Sequence, residues 1–411
     1  LTALPESRLR SHPRLATYMG WVLAMTGDLD QAEDFANAAS ASSADASAAG
    51  VVAPLLLLRT WIAMGRRDPV AAASAAQQAL HALDASQSQW KIIALWAIAE
   101  SQERTGHIAE AIAAFREAAA FGRMLNNQVF AAVVEMSLAA ALNTHGERDK
   151  AVAVCEETIQ RHRDEHGRLL PVTGVIFGRL AMLHYEANQL DRAYECMQKG
   201  LALSEEPAMG SLTVFLYGMA APILHACGEV DAAQEALRRA HRFLSHQALS
   251  EESWFLALDA NIALKRGDLA TAAHWMAAAG ISADDDPDYL RIDAQITYAR
   301  LLLAQGKGEE ARRWLGALES CARARGLRRQ LLSISLLQAL LAETQGDMPL
   351  AHERLTQALQ IAAPQSYYRA FLDEDARLIG LLPAIRHIAP AFVARLLGFA
   401  GVPLAPEKTM A

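Results

Sequence analysis

The sequence predicts an all-α protein built from helical hairpins that stack into a right-handed superhelix. Two observations lead to this prediction. A short phrase recurs about every 40 residues along the 411-residue chain, and the apolar residues follow helical rather than strand spacing. The phrase begins with a glycine and reaches an alanine five residues later, as in Gly106-His-Ile-Ala-Glu-Ala111. Fixed periods of this length are typical of stacked helical repeats, in which each unit buries its apolar face against its neighbours.

A turn residue marks each unit. It is glycine in eight units and asparagine in one, and the intervals between successive marks are 38, 41, 40, 42, 40, 39, 39 and 40 residues. The nine marks are Gly27, Gly65, Gly106, Gly146, Asn188, Gly228, Gly267, Gly306 and Gly346. Both residue types adopt the left-handed conformation that ends a helix. We therefore expect about nine TPR-like hairpins, with a period longer than the roughly 34 residues of the tetratricopeptide repeat (TPR).

Side-chain size follows the same period. The residue five positions after the mark is alanine in eight units, with Val70 as the exception, and the residue seven positions before it is small in all but one. Small residues let the two helices of a hairpin approach closely. Nine positions after the mark, six units carry bulky apolar residues, which we expect to pack between hairpins: Phe115, Met197, Leu237, Met276, Leu315 and Leu355. Three stretches between repeats are predicted loops: 39–50, 204–210 and 284–288.

Composition and charge narrow the functional class. Hydrophobic residues make up 52% of the chain and the formal net charge is -8, which gives nucleic-acid phosphates no general electrostatic attraction. No stretch approaches the roughly 20 apolar residues that span a bilayer. Residues 1–30 lack a secretory signal pattern, and the four cysteines form no CxxC pair. We expect a cytoplasmic protein with reduced thiols and with neither membrane nor direct nucleic-acid contact.

The sequence carries none of the common catalytic motifs. No GxxxxGK[ST] loop, GxGxxG turn, GxSxG elbow or HExxH motif occurs. His162 and His166 have the spacing of a helical metal site. A helix C-terminus, where cations are favoured, is the better explanation for this pair and for the basic runs 238–242 and 323–329. The sequence therefore predicts no metal, no catalytic residue and no enzyme.

A binding surface can be projected from the period. The first helix of each hairpin faces inward in repeats of this kind, and positions 13, 10, 6 and 3 before the mark share one face. As a set, polar and aromatic residues at these positions suit a small polar ligand, although for any one of them a solvated inner-face residue is the more common interpretation. The candidate ligand-binding residues are Trp21, Arg59, Glu100, Glu103, Asn143, Tyr185, His225, Trp254, Asn261, Asp293 and Arg300.

The two ends of the chain carry a family resemblance. The start of the chain resembles the start of the helical-repeat region of MalT-like regulators, the ATP-dependent branch of LuxR-type transcription activators, at Leu4-Pro5, 13–15 (Pro-Arg-Leu), Trp21, Gly27 and Ala32. Near the other end, 368–374 and 392–397 resemble the segment that joins this region to the family's DNA-binding domain. The sequence departs from that family at two positions. These are Gly20, where alanine is more frequent, and Asp375, where glycine is frequent.

The resemblance implies a sensor. Residues 1–362 would form a TPR-like superhelical domain that binds a small-molecule effector, and 363–411 a helical segment leading to a LuxR-type DNA-binding domain. ATP would bind a nucleotide module outside this sequence, so no cofactor is expected within it. The chain starts at Leu1 without an initiator methionine, and we expect it to be a piece of a longer protein whose self-association the effector controls. The alternative is a TPR-like scaffold that binds a partner peptide.

Overall fold

A computed structural model of the chain describes residues 4–42, 50–84, 87–204, 210–244, 252–282 and 285–402. Over these ranges the chain forms 22 α-helices and a few short 3-10 helices, and it contains no β-strand. One isolated antiparallel bridge joins Arg163 to Leu169. The predicted all-α fold is therefore confirmed.

Eighteen of these helices form nine antiparallel hairpins, one for each unit. The first helices of the units are α2 Pro13–Met25, α4 Val52–Gly65, α6 Ser88–Arg104, α8 Gln128–Thr144, α10 Thr173–Glu186, α12 Gly210–Ala226, α14 Glu252–Lys265, α16 Ile292–Ala304 and α18 Arg328–Thr344. The second helices are α3 Leu29–Ser42, α5 Pro69–Ala82, α7 Ile108–Met124, α9 Arg148–Arg161, α11 Leu190–Leu203, α13 Val230–Leu244, α15 Leu269–Ala278, α17 Gly308–Ala324 and α19 Met348–Ala362. The flanking helices are α1 Glu6–Ser11, α20 Tyr368–Leu372, α21 Arg377–Leu381 and α22 Pro390–Phe399.

The hairpin turns adopt the left-handed conformation at eight of the nine predicted marks, with φ between 55° and 90°. Unit 2 is the exception. Gly65 is the last residue of α4, and the left-handed residue is Arg67, with φ 61°. The predicted mark was therefore wrong by two residues. Moving it to Arg67 makes the first two intervals 40 and 39 residues. It also puts Ala72, which is fully buried, in the position that Val70 had occupied.

Side-chain size fixes how closely the helices pack. With the unit 2 mark corrected, the alanine five residues after each turn has no solvent exposure in any of the nine units. The six bulky residues four positions further on are also buried. At Gly20, an added Cβ would lie 2.5 Å from Leu58 Cδ2 and 3.3 Å from the carbonyl oxygen of Ala32. These contacts confirm the predicted close approach, because even a methyl group at Gly20 would require Leu58 to move.

The residue after several turns caps the second helix of its hairpin. The Oδ1 atoms of Asp68, Asp268 and Asp347 accept hydrogen bonds of 2.9, 3.0 and 3.1 Å from the backbone N–H three residues later. An N-cap of this kind stabilises a helix by about 1 kcal/mol. In these units the turn residue thus ends one helix, and the aspartate after it starts the next.

The stacked hairpins curve until distant units meet. Helix α8 of unit 4 contacts α18 of unit 9. An added Cβ at Gly106, in the turn of unit 3, would lie 2.3 Å from Arg325 Cγ in the connection between units 8 and 9. The TPR-like superhelix therefore closes around an interior that is lined by the first helices.

The C-terminal residues pack onto the last unit. Helix α19 ends at Ala362, and the residues after it share one hydrophobic cluster with α18 and α19. Within this cluster Tyr368 stacks on Phe392 with ring centroids 4.4 Å apart, and Phe371 has no solvent exposure. The segment after the repeats is thus joined to their core, and its role in leading to a DNA-binding domain stays a prediction.

The structure describes only parts of the three predicted loops, but it describes all four cysteines. The loop predicted at 39–50 starts later than expected, because α3 continues to Ser42. Residues 43–49, 205–209 and 284 of the three predicted loops lie outside the described residues. Cys155 and Cys321 are buried, Cys196 is half-buried and Cys227 is exposed, and all four are free thiols. In the described part of the chain, no helix is long and apolar enough to cross a membrane.

The corrected turn of unit 2 can be tested at Arg67. Arg67→Gly should raise the free energy of unfolding by about 0.5–1 kcal/mol, because glycine adopts a positive φ without the steric cost that arginine bears. Urea denaturation measures the change. The control is Arg66→Gly, at a position with φ -83° where the guanidinium pairs with Asp30 and Glu33. That variant should lose stability, and equal losses in both variants would contradict the assignment.

Candidate functional site

The inner face of the superhelix holds a stretch of the chain itself. We call residues 365–377 the inserted segment and the surface that the first helices present to it the inner face. Helix α20, at the centre of the inserted segment, contacts α10 of unit 5 and α18 of unit 9. Side chains of units 4, 5, 7, 8 and 9 bond to it. Several projected ligand-binding residues therefore contact the chain's own C-terminal part.

Asp373 of the inserted segment is held by three groups. Its Oδ2 accepts a hydrogen bond of 2.6 Å from the Tyr185 hydroxyl, and its Oδ1 accepts one of 2.9 Å from Lys265 Nζ. Arg369, one helical turn earlier, also pairs with Oδ1. Burial opposes the charged form of this carboxylate, but the charges of Lys265 and Arg369 outweigh it and lower the pKa of Asp373. Asp373 is therefore ionised and bound at neutral pH.

Glu374 is held by Arg300. Its Oε1 accepts hydrogen bonds of 2.9 Å from Nε and 2.6 Å from Nη2 of that guanidinium. The Glu374 side chain is only 7% exposed, so the pair lies largely out of water. Arg300 Nη1 lies 3.5 Å from Oδ1 of Asn261, which in turn donates a 2.9 Å hydrogen bond to Thr297. Two neighbouring acidic residues are thus bound by cations from two different units, Lys265 in unit 7 and Arg300 in unit 8.

Both ends of the inserted segment are attached as well. Arg148 donates a 2.6 Å hydrogen bond to the carbonyl oxygen of Gln365, and the Tyr367 hydroxyl donates one of 3.0 Å to Asn143 Oδ1. At the far end, Arg377 pairs with Glu343 of unit 9 at 3.0 Å. The inserted segment is therefore fixed along its whole length.

Arg329 corrects one prediction from the sequence. The sequence places the basic run 323–329 near a helix C-terminus, but α18 begins at Arg328, and Arg329 lies in its first turn inside the superhelix. Its Nε donates a 2.7 Å hydrogen bond to Glu186 of unit 5, and its guanidinium lies over the Tyr367 ring, 5.5 Å from the centroid. Arg238, Arg239 and Arg242 of the other basic run pair with Glu235 on an exposed face.

Two further candidate residues lie near the acidic pair. His225 is half-buried, and burial together with the charge of Lys265 lowers its pKa, although Asp373 acts in the opposite direction. Asp293 accepts a 3.4 Å hydrogen bond from Gln330 and is surrounded by the superhelix, yet its side chain is exposed to solvent. The interior is therefore not filled at Asp293.

A second polar cluster lies further along the inner face. Glu103 is half-buried and hydrogen-bonds to Tyr289 of unit 8. Burial, with the neighbouring charge of Glu100, raises the pKa of Glu103 to about 8. Glu100 itself accepts a 2.7 Å hydrogen bond from Ser137, whose hydroxyl oxygen accepts one of 3.2 Å from Trp96. This cluster joins unit 3 to unit 8 across the interior.

Half-buried indoles line the inner face of the first units. Trp21 lies 6.0 Å from both Trp61 and Trp90 between ring centroids, and Trp61 lies 6.0 Å from Trp96. The sequence projection missed Trp61 because the unit 2 mark was misplaced. It named Arg59 instead, which is exposed and donates a 2.9 Å hydrogen bond to Ser40 of α3, and whose role in ligand binding stays a prediction.

Trp254, the remaining projected residue, is part of an aromatic cluster. Its ring centroid lies 4.7 Å from that of Phe255 and 6.4 Å from that of Phe215. It also packs against Gly218, where an added Cβ would lie 2.7 Å from the indole. These contacts join units 6 and 7, and its role in ligand binding stays a prediction.

The histidine pair does not share a helix face. Helix α9 ends at Arg161, and the buried His162 lies 2.8 Å through Nδ1 from the Thr158 carbonyl oxygen and 2.8 Å through Nε2 from that of Gln128. His166 lies beyond the helix and is exposed. Among the described residues, no group of three or more His, Cys, Asp or Glu side chains is placed to hold a metal ion.

Nine stacked hairpins that enclose a segment of the same chain define a TPR-type superhelical region. The chain belongs to the family of MalT-like TPR regions, whose model matches residues 54–387. A tetratricopeptide repeat model also matches 13–38.

Two curated relatives agree with this assignment. The chain is 22% identical over 335 residues to the HTH-type transcriptional regulator MalT of Vibrio cholerae, covering 80% of this chain and 37% of that protein. It is 22% identical over 408 residues to the HTH-type transcriptional regulator MalT of Vibrio campbellii, covering 94% of this chain and 44% of that protein. The chain thus spans less than half the length of these curated relatives.

The fold is also similar to two solved Rap proteins. One, complexed with competence and sporulation factor, has a TM-score of 0.57 at 9% identity and covers 86% of this chain and 98% of that one. The other, the Rap conjugation gene regulator of plasmid pLS20 in complex with the Phr* peptide, has a TM-score of 0.52 at 14% identity and covers 86% and 96%. At these identities the likeness concerns the fold alone.

The raised pKa of Glu103 predicts a pH-dependent stability. A carboxyl that titrates near 8 in the folded chain and near 4.5 in the unfolded chain destabilises the fold increasingly as the pH rises between these values. Glu103→Gln removes this effect. The variant should gain little at pH 5 and on the order of 1 kcal/mol at pH 8, measured by urea denaturation.

The control is Glu195→Gln on an exposed face. A hydrogen bond from Lys199 lowers the pKa of Glu195, so its loss should slightly destabilise the chain at pH 8. A stability difference for Glu103→Gln that does not change between pH 5 and pH 8 would contradict the raised pKa.

Proposed function

We propose that this chain is the effector-sensing region of a MalT-type transcription regulator, and that an effector on the inner face controls the inserted segment. The observation that carries the proposal is the attachment of the inserted segment to five units of the superhelix. Any change in curvature moves Tyr185, Lys265 and Arg300 relative to one another, and all three bind neighbouring residues of that segment. Effector binding and release of the segment are therefore linked.

The mechanism is a shift in population. An effector changes the balance between two arrangements only if it binds one of them more tightly, and the change is limited by that difference in affinity. The open space at Asp293 and the half-buried indoles Trp21, Trp61 and Trp96 offer polar and aromatic surface for such a ligand. By its resemblance to the family, the chain would be followed by a DNA-binding domain and preceded by an ATP-binding module. Release of the inserted segment would then affect self-association and transcription.

A second candidate function is the binding of a partner peptide. The inner face already binds a peptide, since the inserted segment lies on it through side-chain hydrogen bonds and ion pairs. The two Rap proteins of similar fold were solved in complexes with competence and sporulation factor and with the Phr* peptide. This candidate makes the ligand a peptide and leaves the linkage to the inserted segment unchanged.

A thermal-shift screen with metabolites and peptides tests the proposed function. A ligand present at 100 times its Kd stabilises the folded chain by about 2.7 kcal/mol and raises Tm by several degrees. For each ligand found, hydrogen exchange at 368–372 is then measured with and without it. We expect an effector to change exchange in these residues.

Trp61→Ala and Arg59→Ala provide a matched pair in the same helix. The first removes a ring from the inner face and the second a side chain on the exposed side. A ligand that stabilises the chain yet leaves exchange at 368–372 unchanged would contradict linkage to the inserted segment.

A further inference from the structure

The groups that bind the acidic pair form a distinct site on the inner face. Tyr185 comes from α10 of unit 5, Lys265 from the end of α14 in unit 7 and Arg300 from α16 in unit 8. Each donates a hydrogen bond of 2.6–2.9 Å to a carboxylate oxygen of Asp373 or Glu374. Charge-assisted bonds of this kind are among the strongest hydrogen bonds in proteins. Three units therefore converge on two neighbouring carboxylates.

The occupant and the site are complementary in charge. The inserted segment brings Asp373 and Glu374, and it also brings Arg369, whose guanidinium lies over the Tyr185 ring, 5.1 Å from the centroid. Its central part therefore carries a net charge of -1. The inner face contributes the two cations Lys265 and Arg300 and the nearby carboxylate Asp293. The ion pair of Arg329 with Glu186 adds no net charge. Without the inserted segment, the site keeps a net positive charge.

The cations of this site need an anionic partner. Removing one member of a largely buried, hydrogen-bonded charge pair is unfavourable, because the other charge is left without compensation. When the inserted segment leaves, Arg300 loses both of its hydrogen bonds to Glu374, and Lys265 loses its bond to Asp373. A ligand that brings two carboxylates replaces what both cations lose.

We propose that Tyr185, Lys265 and Arg300 form a binding site for a ligand with two neighbouring carboxylates, and that such a ligand displaces Asp373 and Glu374. The proposal deepens the proposed function, on which it rests, by naming the chemical class of the effector. The shared chemistry is a pair of carboxylates, which a small dicarboxylate or an acidic peptide supplies. The acidic pair of the inserted segment is the resident occupant.

A double variant frees the site for a binding measurement. Asp373→Asn with Glu374→Gln keeps the shape of both side chains and removes their charges. Two probes are used separately. Binding of a fluorescent peptide with the sequence of residues 365–377 is measured by fluorescence anisotropy, and binding of glutarate is measured by calorimetry. We expect at least one probe to bind the double variant at least about tenfold more tightly than the wild type, because the resident occupant no longer competes.

A third substitution tests the assignment of the site. Adding Arg300→Met to the double variant should weaken binding of the probe by at least about tenfold. Adding Arg239→Met instead should leave it unchanged, because Arg239 contacts Glu235 on an exposed face. A peptide with Asn and Gln in place of its acidic pair should not bind.

The two probes separate the sources of the ligand. Binding of glutarate supports a small dicarboxylate, and binding of the peptide alone supports an acidic peptide. If the double variant has the helical circular dichroism of the wild type and binds neither probe, the proposal is overturned. An effector that acts elsewhere on the inner face would then leave the sensing function standing.

A measurement on the wild type covers the case in which the double variant does not fold. Excess glutarate or peptide should raise hydrogen exchange at 368–372, since displacement releases α20. If neither probe raises exchange there, the proposal also fails. If displacement occurs but the full-length regulator shows no change in self-association or transcription, the proposed sensing function fails while the site stands.

Discussion

The structure depends on the close contact of paired helices at small residues. At every turn of the repeat an alanine without solvent exposure lets the second helix lie directly against the first, and at Gly20 even a methyl group would collide with Leu58. Because this contact is renewed about every 40 residues, the same small rotation accumulates from unit to unit. The rotation brings unit 4 against unit 9 and creates an interior. Closure of the superhelix is therefore a consequence of side-chain size.

An enclosed interior has to be filled or solvated, and here the chain does both. The inserted segment occupies the part between units 4 and 9, while Asp293 stays open to water. Charged groups inside a protein are tolerated when they are paired and hydrogen-bonded. Asp373 and Glu374 meet this condition by binding cations of units 7 and 8. Both ion pairs form together only when those two units keep their relative position. This dependence makes the inserted segment responsive to the curvature of the superhelix.

The sequence predicted the repeats well because they rest on local rules. Left-handed turns, buried alanines and bulky residues between hairpins all follow from backbone sterics and packing, and each was found at its predicted position in most units. In unit 2 the prediction placed the mark at Gly65, but the left-handed residue is Arg67. The projected inner-face residue was therefore Arg59 and not Trp61. The occupant of the inner face was not predictable in this way. Residues 368–374 stood out only as a family resemblance, and nothing in the spacing of the repeats indicates that Lys265 and Asp373, 108 residues apart, are bonded.

Hydrogen exchange at the backbone amides of α20 tests the central claim that the inserted segment is bound inside the superhelix. A helix of five residues is not stable by itself in water, so its amides exchange slowly only if tertiary contacts hold it. The account predicts that Phe371 and Leu372 exchange about as slowly as the amides of α10. It also predicts that this protection is lost when Asp373 and Glu374 are replaced by Asn and Gln. Rapid exchange at these amides in the wild-type chain would contradict it.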